Sequence, residues 1–299
     1  MKNKDENIAI VDIGSNSVRL FIFSIEEDRA EQISAMKFFC GLGKDLGTTG
    51  LLHPEAIIAT HEALAKFRHE ISQYSIRTEL VIGTAALREA KDATSFIQDA
   101  KKRSGFDIRI VAGEEEARLA ALAILSGDRQ ASGVVADFGG GSLELAKLGS
   151  GKILSKVSLK LGAHYLKSFP DRNQIIDSKL QQTLLDYPEF SEPENLYVIG
   201  GSWRSLAKAY LQDAGRDISN LDKENFGKEI TGFCRKIEKM SPADLIERYA
   251  MEMPRAQLMD VSAIMLEKII TILRPEQIRV SAAGIRDGLA YDYILSQRH

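Results

Sequence analysis

Apolar residues fall along this chain in two alternating rhythms. Short unbroken runs closed by glycine or serine exchange with longer stretches in which apolar positions recur every three or four residues. The first rhythm predicts buried strands, the second predicts helices, and their alternation predicts an α/β fold. A hairpin runs through Val11 and the apolar Leu20-Phe21-Ile22-Phe23, and Pro54 then opens a helix whose Ile57, Leu64, Phe67, Ile71 and Tyr74 share one face. Glu79 to Ile82 reads as a strand ending in the small-residue turn Gly83-Thr84-Ala85-Ala86-Leu87-Arg88. The next helix takes Asp92 as N-cap and Gly105 as its closing glycine. Ile108 to Val111 is a strand, and Gly113-Glu114-Glu115-Glu116-Ala117-Arg118 opens an apolar helix ending near Gly127. Beyond it the pattern predicts strands over 132–138, 142–148 and 152–159, then helices over 162–169 and 175–185 parted by Pro170. A strand over 196–199, helices over 203–213, 222–239 and 255–273, a strand over 278–281 and a last helix over about 285–297 complete the reading.

One phrase occurs twice. Val11-Asp12-Ile13-Gly14-Ser15-Asn16-Ser17 precedes one strand, and Ala136-Asp137-Phe138-Gly139-Gly140-Gly141-Ser142 precedes Leu143-Glu144-Leu145. Each copy sets an aspartate at the end of an apolar strand, then a tight glycine–serine turn, then a second strand. Such a turn aims successive backbone N–H groups and hydroxyls at one point and can cradle a phosphate. An Asx-turn within each copy is the alternative reading, and the repetition favours the cradle. An aspartate so close to a phosphate calls for a divalent cation between them. The repeat restarts near Gly127, so two domains are expected, 1–126 and 127–299, with the helix over 285–297 packing back on the first.

Composition narrows the classes. The 299 residues suit two domains, 44% hydrophobic and 27% charged residues are those of a globular protein, and the formal net charge of −3 offers no global field for nucleic acid or anionic membrane. The polar N-terminus is not a signal peptide, no run spans a bilayer, and Cys40 and Cys234 make no framework, so a cytoplasmic setting is expected.

Asp12, Asp137 and Glu144 form the first chemical set: converging carboxylates beside a phosphate need a hard cation, Mg²⁺ or Mn²⁺. The run Glu114-Glu115-Glu116 suits a helix start through the dipole alone, yet its place directly after a strand and before the domain boundary lets it face a cleft. A carboxylate there can polarise an attacking water. Arg19, Arg88, Arg204 and Arg286 each follow a glycine turn and together outline a phosphate path. The five histidines (His53, His61, His69, His164, His299) show no metal spacing and no His–Asp pair, and they are read as structural or exposed. No G-x-S-x-G elbow supports serine catalysis.

These phrases, with Gly200-Gly201-Ser202 and Ser281-Ala282-Ala283-Gly284-Ile285-Arg286-Asp287-Gly288-Leu289, span nearly the whole chain. As an ordered set the chain resembles the exopolyphosphatase/guanosine pentaphosphate phosphatase family, within the actin, sugar-kinase and heat-shock-chaperone ATPase superfamily. The resemblance implies two ribonuclease-H-like domains flanking an active-site cleft. It implies that Glu115 activates the water, that Asp12, Asp137 and Glu144 hold Mg²⁺ or Mn²⁺, and that Ser15, Asn16, Gly139, Gly140, Gly141 and Ser142 cradle the terminal phosphate near Arg88. Release of terminal orthophosphate from inorganic polyphosphate is the expected activity. Guanosine pentaphosphate is the second substrate, and a non-catalytic polyphosphate or nucleotide sensor is the rival from another class. Neither nucleic acid nor membrane is an expected partner, and a homodimer stays open. Two departures from the family pattern stand out. The chain stops soon after Gly288, which puts long-chain processivity in question, and Trp203 either obstructs a nucleotide base or fills the core.

Overall fold

The computed structural model of the chain describes residues 6–27, 29–223 and 225–297, so His299 and the first five residues lie outside it. Among the described residues, eleven strands form two sheets. The first holds β1 (Glu6–Ile13), β2 (Ser17–Glu26), β3 (Arg29–Phe39), β4 (Ile76–Gly83) and β5 (Arg109–Ile110), in the order β3-β2-β1-β4-β5. The second holds β6 (Gly133–Phe138), β7 (Leu143–Gly149), β8 (Lys152–Leu159), β9 (Asn195–Ile199), β10 (Asn225–Phe226) and β11 (Gln277–Val280), in the order β10-β11-β9-β6-β7-β8. In each sheet a strand ending in the repeated aspartate pairs antiparallel with the next strand and parallel with a later one, β1 with β2 and β4, β6 with β7 and β9. The sequence repeat is thus a repeat of topology, and the α/β expectation holds.

Most predicted elements are present, with informative shifts. β3 escapes the apolar-run criterion because it is an exposed edge strand rich in charged and polar residues, with Ile33 42% exposed. The helix expected over 222–239 is instead a 3₁₀ segment, Ile218–Lys223, the short strand β10 and a helix confined to Ile230–Glu238. Asp92 stands at its N-cap position but makes no cap bond. Its Oδ1 accepts the Leu52 N–H at 3.1 Å and fastens the preceding loop. Gly105 closes that helix in the left-handed region, φ 71°, as a C′ glycine should.

Three cores stack through the molecule. One lies under the outer helices of the first sheet around Phe67, Phe96 and Phe106, and another under those of the second around Trp203, Phe190 and Ile264. Between the sheets a third core joins Ile8, Ile10, Phe21 and Phe23 to Leu119, Leu122 and Leu289. Two helices fill this middle layer, Gly113–Gly127 and Ile285–Ser296, and they cross over. The first, which precedes the sequence boundary, packs chiefly on β6, β7 and β8; the second packs on β1, β2 and β3. Arg118 clasps Asp292 with two parallel bonds of 2.8 and 2.7 Å where the helices meet.

The crossing is close because Gly288 carries no side chain: a Cβ there would lie 1.9 Å from the Leu119 carbonyl oxygen. Gly288→Ala is therefore expected to push the helices apart and to destabilise the protein by about 1–3 kcal/mol or more. Thermal unfolding reads the change, and an unaltered midpoint would show that the helices can separate freely.

Candidate active site

The two repeated turns face each other at the mouth between the sheets, and both line one cleft of about 320 Å³. Their backbones are held from behind. In the second copy the carbonyls of Gly139, Gly140 and Gly141 accept from the N–H groups of Ala163, His164 and Gly162 at 3.0, 2.8 and 3.1 Å. In the first, the Asn16 carbonyl accepts from Cys40 and Gly41, and the Ser15 carbonyl from Gly43 at 2.9 Å. A trans peptide points its C=O and N–H to opposite sides. Tying the carbonyls outward therefore turns the N–H groups of Asn16, Ser17, Gly140, Gly141 and Ser142 toward the cleft. Glycine is required for space as well: a Cβ on Gly140 would lie 2.7 Å from the Ser15 Cβ, and one on Gly162 2.1 Å from the Gly141 carbonyl carbon. Ser15, Asn16, Gly139, Gly140, Gly141 and Ser142 all line the cleft, as the sequence predicts.

Pairing register sets the charges. Asp12 lies opposite Arg19 across β1 and β2, and Asp137 lies opposite Glu144 across β6 and β7. The repeat therefore offers a cation in one half and a second carboxylate in the other. Burial pushes the Asp12 carboxyl up, against the pull of Arg19 and Arg286. Burial also raises Asp137 to about 6, with Arg19 opposing and Asp12 adding to the rise. Glu144 stands well above the usual carboxylate range through burial and the nearby Glu116 and Asp137. The Ser158 hydroxyl donates to its Oε1 at 2.8 Å.

The acidic run at 114–116 resolves against the expected register. The helix starts at Gly113, and its first turn sends the three glutamates in different directions. Glu115, expected to activate water, turns away from the cleft and takes both contacts of Arg109 at 2.8 Å. Glu114 pairs with Lys156 at 3.2 Å and is 68% exposed. Glu116 is the one that enters: it is 4% exposed and lines the cleft. Burial raises its carboxyl to about 7 against the opposing Arg88, with Asp137 and Asp12 adding to the rise. Arg88 stands behind Glu116 and does not itself line the cleft. It holds Glu116 and donates to the Val111 carbonyl at 2.8 Å. Three of the four turn arginines, Arg19, Arg204 and Arg286, do line the cleft.

Asp12, Asp137 and Glu144 all reach the same cleft. Among the described residues, however, no group of three His, Cys, Asp or Glu side chains draws together as a metal-binding cluster. Glu144 meanwhile accepts a hydrogen bond from the Ser158 hydroxyl at 2.8 Å. An oxygen-only donor set still suits a hard cation, since Mg²⁺ is commonly held by one or two carboxylates with substrate phosphates supplying the rest.

Other expectations are corrected or decided. A His–Asp pair does exist: His53 Nδ1 lies 2.6 Å from Asp45 Oδ2, at the start of the helix Pro54–Ile71 and outside the cleft. Two residues eight apart on a loop gave no periodic signal for it. Trp203 is core: it is fully buried, stacks on Phe138 at 5.2 Å and donates its indole N–H to the Ser262 carbonyl at 2.9 Å. Both cysteines are free. His164, read as structural, abuts the cradle: Nε2 lies 3.3 Å from Asn16 Oδ1. Burial holds its imidazole down at about 4, hence neutral at physiological pH. Lys37 and Arg255 also line the cleft and were missed. One sits on the unrecognised β3 and the other in the short helix Met253–Ala256.

Comparison with known proteins agrees with this architecture. The Ppx/GppA phosphatase family profile matches residues 21–297. A guanosine-5'-triphosphate,3'-diphosphate pyrophosphatase of Photobacterium profundum is 25% identical over 97% of this chain, and the chain spans 60% of that relative's length. Among solved structures, the Aquifex aeolicus member of the Ppx/GppA family superposes with a TM-score of 0.81 at 22% identity, covering 99% of this chain and 100% of that one. An exopolyphosphatase from Cytophaga hutchinsonii superposes at 0.87 with 21% identity, covering 97% and 98%. No helix among the described residues is long and apolar enough to cross a membrane.

The buried carboxylates have a consequence for stability. Asp137 binds its proton more tightly folded, at about 6, than unfolded, near 3.8. Its contribution is therefore intact below the unfolded value and is lost as pH rises from about 4 through 6. In excess chelator, Asp137→Asn is expected to be more stable than the parent at pH 8 by roughly 1–3 kcal/mol. That advantage should vanish near pH 4. Denaturant unfolding at the two pH values measures it, and a variant less stable at pH 8 would contradict the assigned strain.

Proposed function

The chain belongs to the Ppx/GppA phosphatase family, and from that premise we propose that it hydrolyses phosphoanhydrides, releasing terminal orthophosphate from inorganic polyphosphate. One observation supports this reading above the others. Two turns with outward-tied carbonyls oppose each other across a cleft whose wall carries the buried carboxylate of Glu116, fixed by Arg88. The terminal phosphoryl group fits between the turns, with its oxygens taking the inward N–H groups and the hydroxyls of Ser15 and Ser142. Water attacks the terminal phosphorus while a Glu116 carboxylate oxygen accepts its proton. The anhydride P–O bond breaks, the water oxygen stays on the released orthophosphate, and the bridging oxygen leaves with the shortened chain.

Glu116 suits that role better than Glu115 for two physical reasons. It faces the cleft, and its proton affinity near neutrality matches a general base working near pH 7. Arg88 keeps its carboxylate oriented, so Arg88 acts on the reaction through Glu116. Asp12 and Asp137 would hold Mg²⁺ or Mn²⁺, which when bound supplies neutralising positive charge between these carboxylates and the phosphates. Arg19, Arg204 and Arg286 stand along the same wall and balance the remaining negative charge.

The 25% identity to a guanosine-5'-triphosphate,3'-diphosphate pyrophosphatase favours guanosine pentaphosphate as a second substrate to be assayed beside polyphosphate. The buried Trp203 leaves the turn after Gly201 free of an exposed indole, so it raises no barrier to a nucleotide.

Glu116→Gln is expected to lower kcat by about 10²–10⁴ with KM within a few-fold, whereas Glu115→Gln stays within about twofold of the parent. Phosphate release from polyphosphate and from guanosine pentaphosphate measures both variants, and the opposite ranking would return the role to Glu115. Chelation is expected to abolish release and Mg²⁺ or Mn²⁺ to restore it, with Asp137→Asn needing more metal. Full turnover in excess chelator would remove the cation from the scheme.

A further inference from the structure

Asn16 stands in the wall between two cavities. It lines the cleft and also a second cavity of about 560 Å³ that the cradle straps enclose with Phe39, Pro254 and Leu258. His164 lines only the second cavity. Its Nε2 lies 3.3 Å from Asn16 Oδ1, so a side chain of the second half meets the first half's cradle. The imidazole is firmly placed. Its own backbone N–H donates to the Gly140 carbonyl at 2.8 Å. The ring comes down on Gly140, with Cδ2 2.9 Å from the point that a Cβ there would take. The short helix that carries it, Ala163–Lys167, is pinned at its far end by a 2.7 Å bond from Lys167 to Asp260.

The backbone strap needs no histidine, since any residue but proline supplies an N–H. What the imidazole adds has a direction. Burial, and then the charge of Lys44, hold the ring down at about 4, so at neutral pH it carries one N–H and one bare nitrogen. The Asn16 amide is also two-ended, with an acceptor oxygen and a donor nitrogen. The two ends are therefore set together. A proton on Nε2 takes the amide oxygen and leaves the amide N–H groups for the other side. A proton on Nδ1 makes Nε2 an acceptor, which draws the amide nitrogen and turns its oxygen outward. Toward a phosphate, an outward oxygen meets like charge, whereas an outward N–H makes a charge-assisted bond. Only the Nε2–H form leaves Asn16 a donor for the cleft.

We propose that His164 is a positioning residue: its Nε2–H holds the Asn16 amide oxygen and so turns the Asn16 amide N–H groups into the cleft as donors to the terminal phosphoryl group. The proposal rests on the phosphoanhydride hydrolase reading and gives the second half a part in shaping the first half's cradle. His164 acts through Asn16 and stands outside the cleft itself.

Isotope-labelled histidine reads the sense of the bond directly. Long-range proton–nitrogen spectra of the parent at pH 7, with the His164→Gln spectrum identifying the resonance, are expected to place the proton on Nε2. A proton on Nδ1 would overturn the proposal, whereas a contact that merely joins the halves is indifferent to the tautomer. Affinity is then measured by calorimetry in the Glu116→Gln background, with inorganic tripolyphosphate as the probe and the unliganded thermal midpoint of each variant recorded. His164→Leu keeps bulk but has no donor, and it is expected to weaken binding about five- to tenfold. His164→Gln restores an N–H donor and should stay within about twofold of the parent. With Asn16→Ala already in place, His164→Leu should cost less than about twofold more. Unaltered affinity in folded His164→Leu protein, or an equal loss with and without Asn16, would also overturn the role. Phosphate release from tripolyphosphate by the parent protein tests the underlying reading separately. Release with an unaltered KM in His164→Leu removes the positioning role alone. Donor-dependent binding without release removes the hydrolase reading and keeps the role of His164. Absence of both binding and release removes both.

Discussion

Four carboxylates gathered around one cleft, three of them buried, are the constraint on which the rest of the molecule depends. Asp12, Glu116, Asp137 and Glu144 are all pushed up in proton affinity by burial, and three of them also by one another. Left alone, such a set would neutralise itself or pull the site open. The surrounding architecture opposes both. Arg19 lies across the ladder from Asp12, Arg88 grips Glu116, and Arg204 and Arg286 act on the aspartates from the second half. Sheet pairing and helix packing thus hold charges where isolated side chains would not stay, a preorganised field aimed at a phosphoryl group.

The duplicated turns make the same point in the backbone. Each is strapped by N–H donors from a neighbouring segment, residues 40–43 in one half and 162–164 in the other. The symmetry is then broken in a useful place. Where the first copy has Arg19, the second has Glu144, at the matching position seven residues beyond its aspartate. At that one matching position the first half adds positive charge and the second adds negative charge to a common space.

Much of this was legible in the sequence because strand ends and glycine turns leave local signals. The repeated aspartate phrase located both cradles, and the ordered apolar runs gave nearly every strand. What failed had two physical causes. Helical angular position at a first turn is set by where the helix begins, and the sequence Gly113-Glu114-Glu115-Glu116 does not mark its own rotation, so the glutamate that faces the cleft lies one place beyond the one expected. Edge strands and very short helices bury too little to show periodicity, so β3 went unread, the helix Met253–Ala256 was merged into the one expected over 255–273, and neither Lys37 nor Arg255 was singled out. The His53–Asp45 contact belongs to the same class, a meeting between loop residues that no rhythm encodes.

The crossed middle helices bear on how the chain is made. As the polypeptide emerges, β1 to β4 can pair early, yet the inner face formed by Ile8, Ile10, Phe21 and Phe23 is covered by the helix Ile285–Ser296, which is synthesised only after the whole second sheet. The helix Gly113–Gly127 likewise waits for β6 to β8 before its apolar side is sheltered. A nascent first half therefore carries a greasy surface until that helix has emerged, and neither half reaches its final covering without the other. The long separation between contacting segments favours slow, late consolidation and exposure to chaperones, so that the cleft comes into being only as the last turns dock.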